Sequence, residues 1–180
     1  SDPTWVKLAS MPGNPRVQPV MAATDGKLYV FGGFAGRYGK HQPTLELNGL
    51  CYNPQNNKWI KIKGPETPAG EPLSVGGGAA CTLSSGLIAV CGGVNKDVFI
   101  EALRNQAPDY LDHDPSWYRF NPYLLIFDAS TATWHTPVDA EGATSRAGAA
   151  IFPGYDNDFY LYGGELKPRV RTSDTVHITM

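Results

Sequence analysis

One short grammar is written three times along this 180-residue chain, and that repetition limits the possible folds more than any other feature. The first unit reads "MAATDGKLYVFGG" followed by "LCYNPQNNKWIKI". The second reads "GAACTLSSGLIAVCGG" followed by "LLIFDASTATWHTP". The third reads "GAAIFPGYDNDFYLYGG" followed by "TVHITM". Each unit opens on a run of small residues, turns at a tip bearing Gly, Asp or Asn, and returns as an apolar run that ends in Gly-Gly. The double glycines fall at 32–33, 92–93 and 163–164. In the first two units an aromatic residue, Tyr52 or Phe127, leads by seven positions to a tryptophan, Trp59 or Trp134.

Alternation in "KLYVFGG" and "LIAVCGG", with β-branched and aromatic residues, predicts strands rather than helices. "YNPQNNKW" and "FDASTATW" predict tight turns between strands. The composition agrees: 20 Gly and 15 Pro break up helices, while 11% aromatic residues suit many short packed strands. A chain of this length can bury a core without disulfides or a metal. Cys51, Cys81 and Cys91 each sit in an apolar run and are expected as small buried hydrophobes, so cysteine usage does not fix the compartment. The formal charge of −2 supplies no electrostatic footprint for nucleic acid or an anionic membrane. No apolar run approaches the roughly 20 residues that span a bilayer.

A four-stranded antiparallel unit with a double glycine and a spaced Tyr/Trp pair resembles the kelch blade, which implies an all-β propeller. The expected blades cover about 17–63, 75–137 and 145–180, within one propeller segment over 1–180. An N-terminal strand at 4–9, in "TWVKLASMPG", is expected to complete a blade begun elsewhere. Three blades would each have to span too wide an angle to close a ring. The chain is therefore read as half of a six-bladed propeller, with a second half-propeller, another copy or further sequence, as its partner.

The longest insertion lies between "CGGVNK" and "YLLIFD". In "DVFIEALRNQ", Val98, Phe99, Ala102 and Leu103 share one face of a short helix that Asp97 is placed to cap. "APDYLDHDPSWYRFNP" follows. This region is either a surface loop packing its own aromatics or a lid over the channel mouth. The histidines (His41, His113, His135, His177) are scattered without metal-ligand spacing, and "DYLDHD" lacks the glycine and closing glutamate of a calcium loop. No metal site is expected.

Taken in order, "PGNPRVQPVMAATDGKLYVFGG", "GGVNKDVF", "LLIFDASTATW" and "GGELKPRVRTSD" resemble the N-acetylneuraminate epimerase (sialate mutarotase) family, and the order of the blades suits its cyclically permuted branch. The resemblance implies an isomerase that equilibrates the α and β anomers of sialic acid by ring opening, with no cofactor. It implies Glu165 as proton acceptor and Arg171, six residues on, beside it. Asn95 and Lys96 are candidate substrate contacts. Arg16 and Arg146, each leading into a blade's first strand, are channel candidates by kelch geometry. Glu165 and Arg171 are expected to flank the substrate rather than touch, because a nearby cation weakens a carboxylate as a base. Lys167 and Arg169 are read as solvated turn charges. The family implies a periplasmic or otherwise exported protein. The alternative reading is a non-catalytic kelch module that binds a glycan or a protein partner across its channel face.

Overall fold

In each unit the first two apolar runs fold back on one another because the tip residues accept left-handed backbone. Asp25 and Gly26, with φ of 52° and 67°, make the two-residue turn that pairs β1 (Val20–Thr24) with β2 (Lys27–Phe31). In the computed structural model, which describes residues 2–180, β2 then pairs with β5 (Gly49–Asn53). β5 pairs in turn with β6 (Lys58–Ile62), giving a four-stranded antiparallel blade. In the connection from β2 to β5 stands a small hairpin of β3 (Phe34–Ala35) and β4 (Thr44–Leu45).

The second blade repeats the plan with β7 (Ala79–Thr82), β8 (Ile88–Cys91), β9 (Tyr123–Asp128) and β10 (Thr133–Trp134). β11 (Val138–Asp139) is added on β9. The insertion before β9 contains α1 (Lys96–Asn105) and a 3₁₀ turn at Pro115–Tyr118. The third blade has three strands, β12 (Ala150–Pro153), β13 (Phe159–Tyr162) and β16 (Thr175–Ile178). A hairpin of β14 (Glu165–Lys167) and β15 (Val170–Arg171) lies between the last two. These are kelch-type β-propeller blades.

Alternation sends opposite faces of each blade to different neighbours. Tyr29, Phe31 and Val20 of the first blade pack against Ile88, Val90, Leu125 and Phe127 of the second, and Phe31 meets the edge of Phe127 at 4.9 Å. The other face of the second blade, with Cys81, Ala89, Cys91 and Ile126, packs against Phe159 and Leu161 of the third. All three cysteines are buried free thiols. Cys81 lies opposite Ala89 and Cys91 opposite Ala79.

The aromatic spacing has a simple cause. Tyr52 lies directly opposite Trp59 and Phe127 opposite Trp134, so each pair of tilted rings packs across one turn, at 5.0 and 5.1 Å. Each indole N–H also ties down the chain of the preceding unit: Trp134 Nε1 donates to Lys63 O at 3.0 Å and Trp59 Nε1 to Ala9 O at 2.9 Å. The N-terminal strand expected at 4–9 forms no ladder in this structure, because no neighbouring strand offers it N–H and C=O partners. Trp5 is 93% exposed.

Candidate active site

The double glycines fix where each strand exit points. In every pair the second glycine packs against its own blade's lead-in. A Cβ on Gly33 would meet Val17 O at 2.9 Å, one on Gly93 the Val75 carbonyl carbon at 2.9 Å, and one on Gly164 Ala147 O at 2.8 Å. The residue after the pair is then clamped by backbone bonds. Phe34 exchanges two with Val17, Val94 N donates to Gly76 O, and Glu165 exchanges two with Ala147 at 2.7 and 3.0 Å. Phe34, Val94 and Glu165 are therefore structural equivalents, projecting from one face of the three blades.

That equivalence provides an internal control. Phe34 packs on Phe99 of α1, and its cross-strand partner is the half-buried Leu45. Val94 is buried beside Tyr118 and Phe120. The fold is thus served by apolar residues at two of the three exits, while the third carries Glu165 opposite Arg171. Nothing in the blade requires this charge.

The hairpin register brings Arg171 Nη2 within 3.4 Å of Glu165 Oε1, so the two do not flank an open space as expected but form an ion pair. The pair is open to water, with the Arg171 side chain 76% exposed and that of Glu165 32%. Such pairs contribute only about 0–1 kcal/mol. A competing anion can separate them.

Lys167, read from sequence as a solvated charge, is an anchor. Its Nζ donates to Leu111 O at 3.2 Å and His113 O at 2.6 Å, which fastens the insertion beside the β14–β15 hairpin. In the last turn of α1, Arg104 donates to Pro43 O, next to β4 of the first blade. The insertion therefore lies across the exit face from the first blade to the third and packs its own aromatics. Tyr118 donates to Tyr110 O, and His113 stacks on the part-exposed Trp117 at 3.8 Å. Burial, then the charge of Asp112, raises the Tyr118 phenol above its ordinary pKa and keeps it a donor.

Asn95, not Asp97, caps α1, its Oδ1 accepting from the N–H groups of Asp97 and Val98. Lys96 Nζ is held by the Asp97 carboxylate at 3.2 Å. Both residues line a cleft of about 440 Å³, together with Ser74, Arg119 and Asn121. Arg119 was not singled out in the sequence. It reaches this cleft because it ends the 3₁₀ turn in left-handed backbone, a conformation no local pattern announced.

Arg16 and Arg146, the expected channel residues, have buried side chains. Both are folded into their blades as caps for the first glycine's carbonyl: Arg16 Nη1 donates to Gly32 O and Arg146 Nη1 to Gly163 O, each at 3.1 Å. In the second blade Asn121 Nδ2 does the same for Gly92 O. Arg16 lies 3.6 Å from the Glu46 carboxylate. Burial pulls its pKa down and Glu46 opposes that shift.

The family model for N-acetylneuraminate epimerase matches residues 1–180. Curated relatives include N-acetylneuraminate epimerases of Haemophilus influenzae (strain PittEE), 34% identical over 95% of this chain and 47% of the relative. Another, from Escherichia coli O9:H4 (strain HS), is 35% identical over 95% of this chain and 48% of the relative. A solved structure described as "Structure of YjhT" superposes with a TM-score of 0.78 at 29% identity, covering 98% of this chain and 55% of that one. The chain spans about half the length of the curated relatives it matches. With three kelch blades, a charged third exit and a family match along its whole length, this chain belongs to the N-acetylneuraminate epimerase family.

Proposed function

We propose that this chain carries the catalytic exit of a sialate mutarotase, with Glu165 as the base and Arg171 as the anchor for the sugar's carboxylate. One observation carries the reading: of three equivalent exits, two are apolar and the third pairs a carboxylate with a guanidinium. Ring opening of a sugar acid uses a base at the anomeric hydroxyl and a cation for the carboxylate, and this pair offers both.

The ion pair then has a function in the resting site. A sugar acid offers Arg171 a carboxylate that binds its planar pair of donors, and Glu165 is released from the cation that weakens it as a base. Glu165 next takes the proton of the anomeric hydroxyl. That C–O bond becomes the carbonyl, the bond from the anomeric carbon to the ring oxygen breaks, and the ring oxygen takes its electron pair and a proton from solvent. Rotation about the exposed carbonyl carbon, followed by the reverse steps, closes the ring on the other face. No electrons are gained or lost, so the chemistry needs no redox partner. Lys167 acts on position alone, holding the insertion against the hairpin that carries both residues. A second half-propeller supplies the remaining channel wall.

Freshly dissolved sialic acid, followed by proton NMR with and without the assembled protein, tests the assignment. Faster approach to the anomeric equilibrium supports it. An unchanged rate with fully assembled protein refutes it.

A further inference from the structure

The 3₁₀ turn of the insertion carries one aromatic ring that the packing does not bury. Val94, Tyr118 and Phe120 form the core of this region, and Tyr110 and Ala147 pack on it. Tyr118 is closed off at 1% exposure, with its hydroxyl donating to Tyr110 O. Trp117, one residue earlier, stands outside that core and is 40% exposed. It is nevertheless fixed. The His113 ring stacks on it at 3.8 Å and 15°, while Tyr118 and Tyr110 meet it steeply, at 83° and 71°. His113 is itself tethered: its carbonyl accepts from Lys167, and its Nε2 lies 3.7 Å from the Asp109 carboxylate. A tryptophan held rigid and left partly in water suits a binding surface, because it offers a large contact area at little further loss of entropy.

This platform adjoins the charged exit. The turn runs beside β14, with α-carbons of the two within 8 Å of each other. Lys167, two residues after Glu165, makes the tether to Leu111 and His113. Ala147, which exchanges two backbone bonds with Glu165, packs against the cluster that contains Tyr118. The insertion belongs to the second blade, both of whose faces are covered by neighbouring blades.

We propose that Trp117 is the specificity-determining contact for the acetamido group of the sugar acid, with the exposed side of its indole receiving the acetyl methyl. This rests on the reading of Glu165 and Arg171 given above. The carboxylate and the anomeric hydroxyl share one carbon, so Arg171 and Glu165 hold a single end of the sugar by charge. The acetamido arm leaves the ring on the side opposite that carbon and extends away from the pair. Its methyl is the sugar's one wholly apolar group. Covering it with an aromatic face is favourable, whereas a hydroxyl in the same place would lose water and gain no partner.

Isothermal titration of the assembled protein with two sugars separates this role from a structural one. One is N-acetylneuraminic acid, and the other is the nonulosonic acid with a hydroxyl where the acetamido group stands. Trp117→Ala, which alters a side chain outside the core, should leave the circular dichroism unchanged. It should weaken binding of the acetylated sugar about 10-fold and leave the hydroxylated one within about twofold, and Trp117→Phe should recover most of the loss. Saturation-transfer NMR should show the acetyl methyl in close contact with the wild-type protein and lose that signal in Trp117→Ala. An equal loss for both sugars, or no loss for either, overturns the proposal. Where Arg171→Ala still weakens both sugars in that case, the assignment of the ion pair stands and this inference alone fails. A wild-type protein that binds neither sugar overturns both.

Discussion

Gly32 and Gly163 hold the same position in two blades with nearly the same backbone, φ 66° and 62°, and differ in what lies beside them. Substituting each by alanine separates the two reasons for a glycine. Both variants incur the cost of an L side chain in left-handed backbone, about 1 kcal/mol, and this cancels in the comparison. At Gly32 the new Cβ lies 2.8 Å from Val75 Cγ2 and 3.1 Å from Gly76 N. The valine methyl can rotate away, but the backbone nitrogen belongs to the next blade and cannot move without opening the seam. Overpacking of this kind costs about 1–3 kcal/mol. At Gly163 the nearest atom is 3.4 Å away, an ordinary contact. Urea denaturation should therefore show Gly32→Ala destabilised by about 2–4 kcal/mol and Gly163→Ala by about 1 kcal/mol. Equal losses would refute the argument that the first glycine serves blade-to-blade approach.

Lys167→Met removes both bonds that fasten the insertion, so proteolysis within 106–114 should accelerate while the unfolding midpoint moves little. Burial holds the Cys81 and Cys91 thiols up to about 11 and about 12, so they stay neutral and resist iodoacetamide in the native protein at pH 8. Because these folded values lie above the unfolded value of about 9, the stability they contribute is whole below pH 9 and is lost as pH rises through 11 to 12. An alkaline denaturation series should show stability flat below about pH 9 and falling from there until the folded thiols themselves ionise near 11 and 12. Glu165→Phe combined with Arg171→Leu rewrites the third exit in the manner of the first. It should keep the blade folded and abolish anomer exchange, checked by circular dichroism and NMR.

The blades were legible because period-two alternation, turn residues and double glycines are local signals. Tyr52 and Trp59 could be paired from spacing alone, since a tight turn places positions seven apart across from each other. The fate of single charges was not legible. Lys167 looked like a solvated turn cation, yet its two acceptors come from a segment more than fifty residues away. Arg16 and Arg146 looked like channel residues because they precede the inner strands. Their side chains instead turn back to carbonyls that the double glycine leaves unpaired. The Glu165–Arg171 ion pair follows from the tight turn of the β14–β15 hairpin, whose positive φ at Arg169 no pattern flagged. The segment at 4–9, expected to complete a blade begun elsewhere, has no ladder among the described residues, because a ladder needs a neighbouring strand.

The most direct test of the catalytic assignment is the rate of sialic acid anomer exchange, measured by NMR for wild-type and Glu165→Gln protein at matched assembly. The glutamine keeps the size and hydrogen-bonding reach of the side chain and removes the base. The account predicts an intact fold, retained sugar binding and exchange slowed by about 10²-fold or more. Exchange at the wild-type rate with glutamine at 165 would contradict it.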